Sequence, residues 1–355
     1  MNRTPVLFRV DGTSRTGWER LGRCVAFANA LQRRRRPCHF LSQLDSLPTA
    51  AWIRKGGHEW LATDTAPGSA HDLERTLAEI KRLAPAAVVV DHPDIGPDYL
   101  AELTATGVLV VHIEHALHYC TNAHVLVNPS LGVTWEDHEV CPGTQVLCGP
   151  RYAVVRPEMR RLRSLRAQEP PGHNRVAIVL GDDARHLAGR VAQQLVKMRQ
   201  VEHVDLIVYA QHEQVGAWRE LMGAHLNKLD VVTDPVEAIA RAARAHVAVA
   251  DGNAWSLELA CLGVPLVLVV EEEGYWKTAQ TLEEEGAAIC LGWYEDFTDS
   301  ALRQTVACLL EDCRERQSMA RAGRGLIDGR GLDRLVLALE LMLHRAVTPP
   351  LREAA

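Results

Sequence analysis

Residues 245–270 read AHVAVADGNAWSLELACLGVPLVLVV, and the order of apolar runs and turn residues predicts a strand, a helix and a second strand. The run 246–250 is short, apolar and rich in valine, which is typical of a strand buried on both faces. Turn residues follow it, and apolar positions then recur at helical spacing from Trp255 until a Gly-Val-Pro sequence stops the helix. The apolar run 266–270 completes a βαβ unit.

The predicted helix begins at the carboxyl edge of a parallel sheet, where free backbone N–H groups readily bind phosphate. The preceding turn contains Gly252 and Asn253, and the first helical turn contains Ser256 and Glu258. A hydroxyl in that turn caps the helix or contacts a phosphate, and a carboxylate accepts hydrogen bonds from ribose hydroxyls. Both residues are also explained as ordinary first-turn residues, so local chemistry leaves the two interpretations open.

The composition is that of an ordinary globular chain with room for two domains: 355 residues, of which 47% are hydrophobic and 24% charged. A net charge of −6 argues against a nucleic-acid binder, and the four arginines at 33–36 are interpreted as the solvated end of a helix. The N-terminus lacks a signal-peptide core, and no run approaches the roughly 20 apolar residues of a membrane span. Nine scattered cysteines favour reduced thiols, so a cytoplasmic protein is expected.

Strand and helix patterns alternate along the rest of the chain, which predicts mainly parallel sheets. In the first half, strands are predicted at 6–10, 39–41, 87–90, 108–113 and 125–128, an edge strand and loop at 145–152, and helices at 21–33, 71–83 and 98–104. A second series predicts strands at 176–180, 204–209 and 230–232 and helices at 184–198, 214–224 and 235–245. The C-terminal third is expected to be helical, with a break at 328–331 before a long helix at 332–344.

The polar stretch 159–174 is rich in arginine, proline and glycine, and it is predicted to separate two domains. The predicted units are a Rossmann-like domain at 1–158, a second Rossmann-like domain at 159–330, and a C-terminal helix and tail at 331–355. The fold class is therefore α/β, with two doubly wound domains facing each other across a cleft, the glycosyltransferase-B (GT-B) type. Ligands of such folds lie at the carboxyl ends of the strands.

Short motifs spread over nearly the whole length give the chain a resemblance to the PseG/SpsG family, UDP-sugar hydrolases of pseudaminic acid biosynthesis and related predicted glycosyltransferases. Each motif is weak alone, but their order is fairly specific. The motifs are Phe8-Arg9-Val10-Asp11, Gly17 with Arg23-Cys24, Val90-Asp91-His92, Asn128, CGPRYAVVRPE at 148–158, Gly181 with Asp183, Ser256 with Glu258, LGVP at 262–265, and IDGRGLDR at 327–334.

The resemblance implies a small-molecule nucleotide sugar, a UDP-amino sugar, held between an N-terminal acceptor or catalytic domain and a C-terminal nucleotide-binding domain. The positions that the resemblance and the predicted turn place around the nucleotide are Gly181, Asp183, Gly252, Asn253, Ser256 and Glu258. In the family's hydrolases, water attacks the anomeric carbon and UDP leaves without a metal or other cofactor. A glycan or protein acceptor is an alternative to water.

The chain departs from the family at three functional positions. The family carries a Gly-His pair on the first helix, whose histidine is the proposed catalytic group, and this chain has Glu19 and Arg20 there. Arginine does not deprotonate in proteins, so Arg20 cannot accept a proton from water, although it can hold a phosphate. The aromatic residue that follows the Asp-His pair in some relatives is Pro93 here. The Asn-Gln pair after the last strand, which the resemblance implies contacts the nucleotide or sugar, is replaced by Gly274-Tyr275.

Other side chains are candidates for the general base. His92, which follows Asp91 at the carboxyl end of a strand, has an imidazole suited to proton transfer at neutral pH. Glu19, Glu114 and Asp11 are further candidates. Each is also explained as a helix cap or a loop hydrogen-bonder.

The histidines in HIEHALH, residues 112–118, suggest a metal site at first sight. Their spacing runs from a strand into a loop and does not match the H-E-x-x-H arrangement that places two imidazoles on one helical face. Sugar or phosphate binding, or plain surface histidines, are the preferred interpretations, and no metal site is expected.

Three hypotheses follow for the function. The first is an enzyme of surface-glycan biosynthesis that breaks the anomeric C–O bond of a nucleotide sugar, by hydrolysis or by transfer to a hydroxyl. In the transferase, basic residues, with Arg9, Arg20 and Arg23 as candidates, and a helix N-terminus would stabilise the leaving diphosphate. The second is a nucleotide-sugar-binding or scaffold protein that has lost the general base. The third is the same chemistry on a sugar carried by another nucleotide.

Overall fold

The chain folds into two α/β halves, each built on one sheet in which all the strands pair in parallel. The computed structural model describes residues 3–13, 18–45, 47–114, 120–166, 170, 172, 174–180, 187–208, 212, 214–225 and 227–347. The GT-B type of architecture predicted from the alternation of strands and helices is confirmed.

The first half contains a seven-stranded sheet in the order β3-β2-β1-β4-β5-β6-β7. Its elements are β1 Val6–Arg9, α1 Trp18–Gln32, β2 Cys38–Ser42, α2 Leu47–Lys55, β3 Glu59–Ala62, α3 Ala70–Leu83, β4 Ala87–Val90, α4 Pro97–Ala105, β5 Leu109–Ile113, β6 Val125–Asn128 and β7 Gln145–Cys148, with 3-10 turns at Trp135–Asp137 and Pro150–Tyr152.

The second half contains a six-stranded sheet in the order β10-β9-β8-β11-β12-β13. Its elements, with the helices before and after it, are α5 Pro157–Leu165, β8 Arg175–Val179, α6 Leu187–Val196, β9 His203–Ile207, α7 Val215–Ala224, β10 Leu229–Val232, α8 Pro235–Ala242, β11 Val247–Ala250, α9 Ala254–Leu262, β12 Leu266–Val270, α10 Glu273–Glu284, β13 Ala288–Trp293, α11 Asp299–Glu311, α12 Cys313–Leu326 and α13 Gly331–Val347.

The strand order reverses at the same place in both sheets. β1 pairs with β2 on one side and β4 on the other, and β8 pairs with β9 and β11 in the same way. At such a switch point the connecting helices leave to opposite faces, which opens a crevice at the carboxyl ends of the strands. The residues that follow β1, β4 and β11 are therefore the ones positioned to contact a ligand.

The βαβ unit formed by β11, α9 and β12 is buried on all sides. Every residue of both strands is buried, and so are all the residues of α9 from Trp255 to Leu262. The helix is enclosed because α5 and α12 pack over its outer surface. The Arg163 guanidinium on α5 reinforces this layer by donating to the backbone carbonyls of Cys261 and Ile327, at 2.8 and 2.6 Å.

The last helix, α13, returns to the first half of the chain. Leu332, Leu335, Val336 and Leu339 share a hydrophobic core with Phe8 of β1 and the buried face of α1. Among the described helices, none is both long and apolar enough to cross a membrane.

Four elements were not anticipated from the sequence: α2, β3, β13 and helix α5, which covers the first part of the polar stretch predicted to separate the domains. The sequences of helix α2 and strand β3 have no strong apolar periodicity, and β3 is a half-exposed strand at the edge of its sheet. Strand β13 lies at the other sheet's edge, where it is mostly half-buried, although that region was expected to be helical. Edge strands are poorly marked in sequence, since one of their sides is not enclosed by a neighbour.

The close crossing of α12 over α9 yields a testable prediction. A Cβ added at Gly323 would lie 2.8 Å from the backbone oxygen of Ala260, whereas one added at Gly325 would have no atom within 4 Å. Gly323→Ala should lower the free energy of unfolding by about 1–3 kcal/mol, because the two helices must separate. Gly325→Ala, on the same helix, should be neutral or stabilising by up to about 1 kcal/mol. Chemical denaturation measures both, and equal effects would contradict the crossing.

Candidate functional site

Two aspartates follow neighbouring central strands of the first sheet. Asp11 lies two residues after β1 and Asp91 directly after β4, and the backbone N–H of Asp91 donates to the carbonyl of Arg9 at 3.0 Å. Both carboxylates are buried. A buried carboxylate needs a cation or several donors, so the residues that neutralise these two determine the rest of the site.

Arg9, at the end of β1, is fully buried between two carboxylates. Its Nε donates to Asp72 Oδ1 at 3.0 Å and its Nη1 donates to Asp11 Oδ1. Burial alone would raise the pKa of Asp11, but the contact with His92 and the charge of Arg9 outweigh it and lower that pKa. In this arrangement the Arg9 guanidinium is directed at protein carboxylates and does not face the cleft as a phosphate ligand.

His92 is also buried, and both nitrogens of its ring are near protein groups. Nδ1 accepts the backbone N–H of Asp94 at 3.1 Å, so the neutral ring carries its proton on Nε2. Nε2 lies 3.1 Å from Asp11 Oδ2 in a contact that is not aligned as a hydrogen bond. The geometry therefore favours a role for His92 in holding Asp11 over proton abstraction in the cleft.

Asp91 is paired with Arg23 of α1. The guanidinium donates twice, from Nε to Oδ2 and from Nη2 to Oδ1, at 2.5 Å each. Arg20 Nη1 also lies 3.4 Å from Asp91 Oδ1. Burial would raise the pKa of Asp91, but the charge of Arg23 overcomes it and the pKa is lowered. The Asp91–Arg23 pair joins α1 to β4.

The three arginines predicted to bind phosphate differ in exposure. The side chain of Arg20 is 25% exposed, whereas those of Arg9 and Arg23 are 0% and 5% exposed.

Glu19 reaches across to the second half of the chain. Its Oε1 accepts the backbone N–H of Ala254, the first residue of α9, at 3.1 Å, and it lies 3.8 Å from Arg23 Nη1. Burial raises the pKa of this carboxyl above its ordinary value of 4.5, although the charge of Arg23 opposes the shift. Glu19 therefore places an ionisable group with a shifted pKa at the N-terminus of the helix predicted to hold phosphate.

Four consecutive backbone N–H groups at this helix start, those of residues 252–255, donate to side-chain oxygens. Gly252 donates to Ser256 Oγ at 3.0 Å, Asn253 to Asp251 Oδ1 at 3.0 Å, and Trp255 to Asn253 Oδ1 at 2.9 Å. Glu19 takes the fourth, that of Ala254. Ser256 and Asn253 are thus caps in this arrangement, and Glu19 is the one acceptor of the four that comes from the opposite half.

Acidic side chains surround the loop. Asp251, directly after β11, is 3% exposed, and burial together with the nearby charge of Glu271 raises its pKa well above the ordinary value. Glu271, directly after β12, is buried as well. Burial and mutual repulsion therefore disfavour the ionised form of Asp251 in this loop.

Glu258 lies on α9 but is held by an arginine from the segment between the sheets. Its Oε1 accepts the backbone N–H of Arg156 at 2.7 Å and the Nε of the same residue at 2.9 Å. The Arg156 guanidinium also lies 4.1 Å from the centre of the Trp255 ring, within cation–π range. In this arrangement Glu258 connects α9 to the crossover between the halves.

Gly17, Gly181 and Asp183 lie outside the described residues, as do His115 and His118 of the histidine-rich stretch. His112 is buried, with Nδ1 3.3 Å from Thr121 Oγ1 and Nε2 3.7 Å from Glu114. The catalytic and binding roles assigned to the site residues from the sequence stay predictions.

One group of three ligand-type residues within the described ranges has metal-like spacing, His203, Asp205 and Asp230. Arginines already neutralise its carboxylates. Arg175 Nη1 lies 2.7 Å from Asp205 Oδ2, and Arg241 Nη1 lies 3.0 Å from Asp205 and 2.8 Å from Asp230. The cluster is explained as an ion-pair network.

Sequence reasoning missed two residues that shape the site. Asp72 lies in the first turn of α3, where it resembles any helix-start carboxylate, and no local signal connects it to Arg9. Arg156 was noted as part of a motif, and its pairing with Glu258 links residues 102 positions apart.

The Asp91–Arg23 pair provides a stability test. Asp91→Ala should lower the free energy of unfolding by about 3–5 kcal/mol, because it leaves a buried guanidinium without its carboxylate. Replacing both partners, Asp91→Leu with Arg23→Met, should recover most of that loss. Asp333→Ala, which breaks the exposed pair with Arg160, should cost less than about 1 kcal/mol. Denaturant titration measures all three, and an Asp91→Ala loss no larger than that of Asp333→Ala would show that the pair is not strongly coupled.

Comparison with known proteins gives one similar curated sequence and many similar structures. No family model matches the chain. The chain is similar to the spore coat polysaccharide biosynthesis protein SpsG of Bacillus subtilis (strain 168), with 24% identity over 207 residues. The match covers 58% of this chain and 60% of SpsG, so it spans less than two thirds of that relative's length.

Three solved structures illustrate the likeness in fold. MurG of Acinetobacter baumannii superposes with a TM-score of 0.64 at 16% identity, over 95% of this chain and 100% of that one. The spinosyn rhamnosyltransferase SpnG complexed with thymidine diphosphate has a TM-score of 0.64 at 15% identity, over 95% of this chain and 100% of that one. An S. aureus MnaA–UDP structure has a TM-score of 0.66 at 11% identity, over 98% of this chain and 99% of that one. These findings confirm the resemblance read from the motifs: the chain is SpsG-like over the matched part of its sequence and has the GT-B fold.

Proposed function

We propose that the chain binds a nucleotide sugar, preferably a UDP-amino sugar, between its two halves and breaks the anomeric C–O bond in surface-glycan biosynthesis. The observation that carries the proposal is the contact of Glu19 with the N-terminus of α9, which puts a titratable carboxyl where a diphosphate would bind. The proposed setting is the cytoplasm, which the free cysteines favour.

The diphosphate would take the place of the Glu19 carboxylate at the start of α9. Backbone N–H groups and the helix dipole stabilise an anion there, and Arg20, the most exposed of the three candidate arginines, would supply a cation. Glu19, displaced but still on the first turn of α1, would then be beside the anomeric centre. Binding of substrate would thus release the group that the reaction needs.

In the proposed reaction Glu19 is the general base. The oxygen of an acceptor hydroxyl, or of water, attacks the anomeric carbon while the bond from that carbon to the diphosphate oxygen breaks. The proton of the nucleophile passes to Glu19, and the electron pair leaves with UDP, whose charge the helix N-terminus and Arg20 stabilise. A glycan or protein hydroxyl is the proposed acceptor. SpnG, which shares the fold, is by name a rhamnosyltransferase.

A binder without turnover is the second candidate, and the site geometry favours it in one respect. Arg9 and Arg23 are neutralised by aspartates, and the Nδ1 of His92 is occupied by a backbone N–H. If Glu19 also has only a structural role, the cleft retains a nucleotide site but no base. Thermal stabilisation by UDP without UDP release from any sugar would support this candidate.

Glu19 variants test the proposed role through opposite effects on binding and rate. Glu19→Ala should tighten UDP binding by several-fold, because the carboxylate no longer competes for the Ala254 N–H, and should lower kcat by about 10²–10⁴. Calorimetry gives the Kd of UDP, and NMR follows UDP release from a panel of UDP-amino sugars. Glu273→Gln, an exposed glutamate at the start of α10, is the control. Unchanged turnover in Glu19→Ala would exclude Glu19 as the base.

The pH dependence of the reaction tests the same residue independently. A general base must be deprotonated, so kcat/KM should fall as the pH drops through the pKa of Glu19 in the free protein, which burial raises above 4.5. The low-pH limb of the kcat/KM profile should be absent from the residual activity of Glu19→Ala. A limb that persists unchanged in this variant would assign the titration to another group.

A further inference from the structure

The outer face of helix α13 exposes two leucines between Asp333 and His344, and the described part of the chain does not cover them. Leu337 and Leu341 are 55% and 54% exposed, and their spacing of four residues places them on one face. Leu335, Val336 and Leu339 face the core shared with α1. The two exposed side chains lie on consecutive turns and form a small apolar patch on the side of α13 opposite its packed face. Exposed apolar patches can mark interaction sites.

A basic turn follows α1. Arg33, Arg34 and Arg35 are all exposed. The turn is fixed by its backbone, because Arg34 N–H donates to Leu31 O and Arg35 N–H to Gln32 O, at 2.8 Å each. Arg35 adopts a φ of 62°, in the left-handed region, which ends the helix and turns the chain.

The basic turn lies against the same part of α13 as the two leucines. Glu340, three residues after Leu337 and next to Leu341, accepts from Arg36 Nε at 2.6 Å and from Arg3 Nη1 at 2.7 Å. The charges of Arg36, Arg3 and Arg34 lower the pKa of Glu340, so it stays ionised and is neutralised locally. Three arginines, at 3, 34 and 36, thus act on one glutamate beside the two exposed leucines.

This surface, which we call the α1–α13 surface, is on the side of the first half away from the cleft. The basic turn leads into the amino end of β2, since Pro37 O accepts the N–H of Val6, the first residue of β1. The cleft lies at the carboxyl ends of these strands. An object bound at the α1–α13 surface would leave the cleft open.

We propose that the α1–α13 surface, formed by Leu337, Leu341, Arg3 and the exposed arginines at 33–35, docks the protein on an anionic lipid bilayer. Exposed leucines enter the boundary between headgroups and acyl chains, while arginines beside them are attracted to acidic headgroups. The whole chain carries a charge of −6, which an anionic membrane would repel, so the local cluster also determines the orientation. The bilayer is the occupant that matches both the charge and the aliphatic side chains.

Co-sedimentation of the full-length protein with vesicles tests the proposal. Vesicles of phosphatidylcholine with about a third phosphatidylglycerol should bind the protein, and pure phosphatidylcholine should not. Raising NaCl from about 0.1 to 0.5 M, which roughly halves the screening length, should release most of it. Arg33→Gln/Arg34→Gln/Arg35→Gln should weaken binding by at least about tenfold. Leu337→Ser/Leu341→Ser should also weaken it and make the remainder more sensitive to salt.

The matched control is Leu165→Ser/Val236→Ser, which removes two exposed apolar side chains, 80% and 66% exposed, from the second half. It should bind as the unsubstituted protein does, and circular dichroism confirms that each variant is folded. Absence of binding to the anionic vesicles, equal binding to both lipids, or an equal loss in the control would overturn the proposal. Light scattering that shows a dimer abolished by Leu337→Ser/Leu341→Ser, without vesicle binding, would also overturn it and assign the surface to a second copy of the chain.

Discussion

Carboxylates buried at the carboxyl ends of the central strands constrain the first half of this protein more than any other feature. Asp11 and Asp91, at those strand ends, and Asp72, on α3, are withdrawn from water, and an isolated carboxylate there would be too costly to remain ionised. Arg9 and Arg23 neutralise them with multiple hydrogen bonds. These pairs position α1 and α3 against the sheet, so the geometry of the cleft wall depends on them.

The same pairing determines which charges remain for a ligand. Two of the three arginines that looked suitable for a diphosphate are directed at aspartates, and the loop before α9 is bordered by Asp251 and Glu271. The attraction for an anion is then concentrated at the helix N-terminus and at Arg20. Glu19 accepts a part-buried N–H at that helix N-terminus, the place where we propose that the diphosphate binds.

The two classes of buried acid have opposite effects on stability with pH. Asp11 and Asp91, whose pKa values are lowered, stabilise the fold above the ordinary carboxyl range and lose that contribution as the pH falls through their lowered pKa values. Asp251 and Glu19, whose pKa values are raised, favour the folded state at low pH and lose that contribution as the pH rises through their raised pKa values. Glu19 and Asp251, the two with raised pKa values, both lie beside the start of α9, and perturbed pKa values of this kind are common at functional sites.

Periodicity and turn chemistry were sufficient to predict the α/β class, the paired sheets and most of the helices, because a buried parallel strand and a packed helix each leave a repeating apolar pattern. Helices α2 and α5 and the edge strands β3 and β13 lacked a clear pattern of this kind. The partners of the charged residues depend on contacts between distant segments: Arg9 with Asp72, Glu258 with Arg156, and Glu19 with the backbone of Ala254, 235 residues away. A local pattern carries no information about such pairs, since they form only once the sheets and helices have packed, and they decide which site residues are available to a substrate.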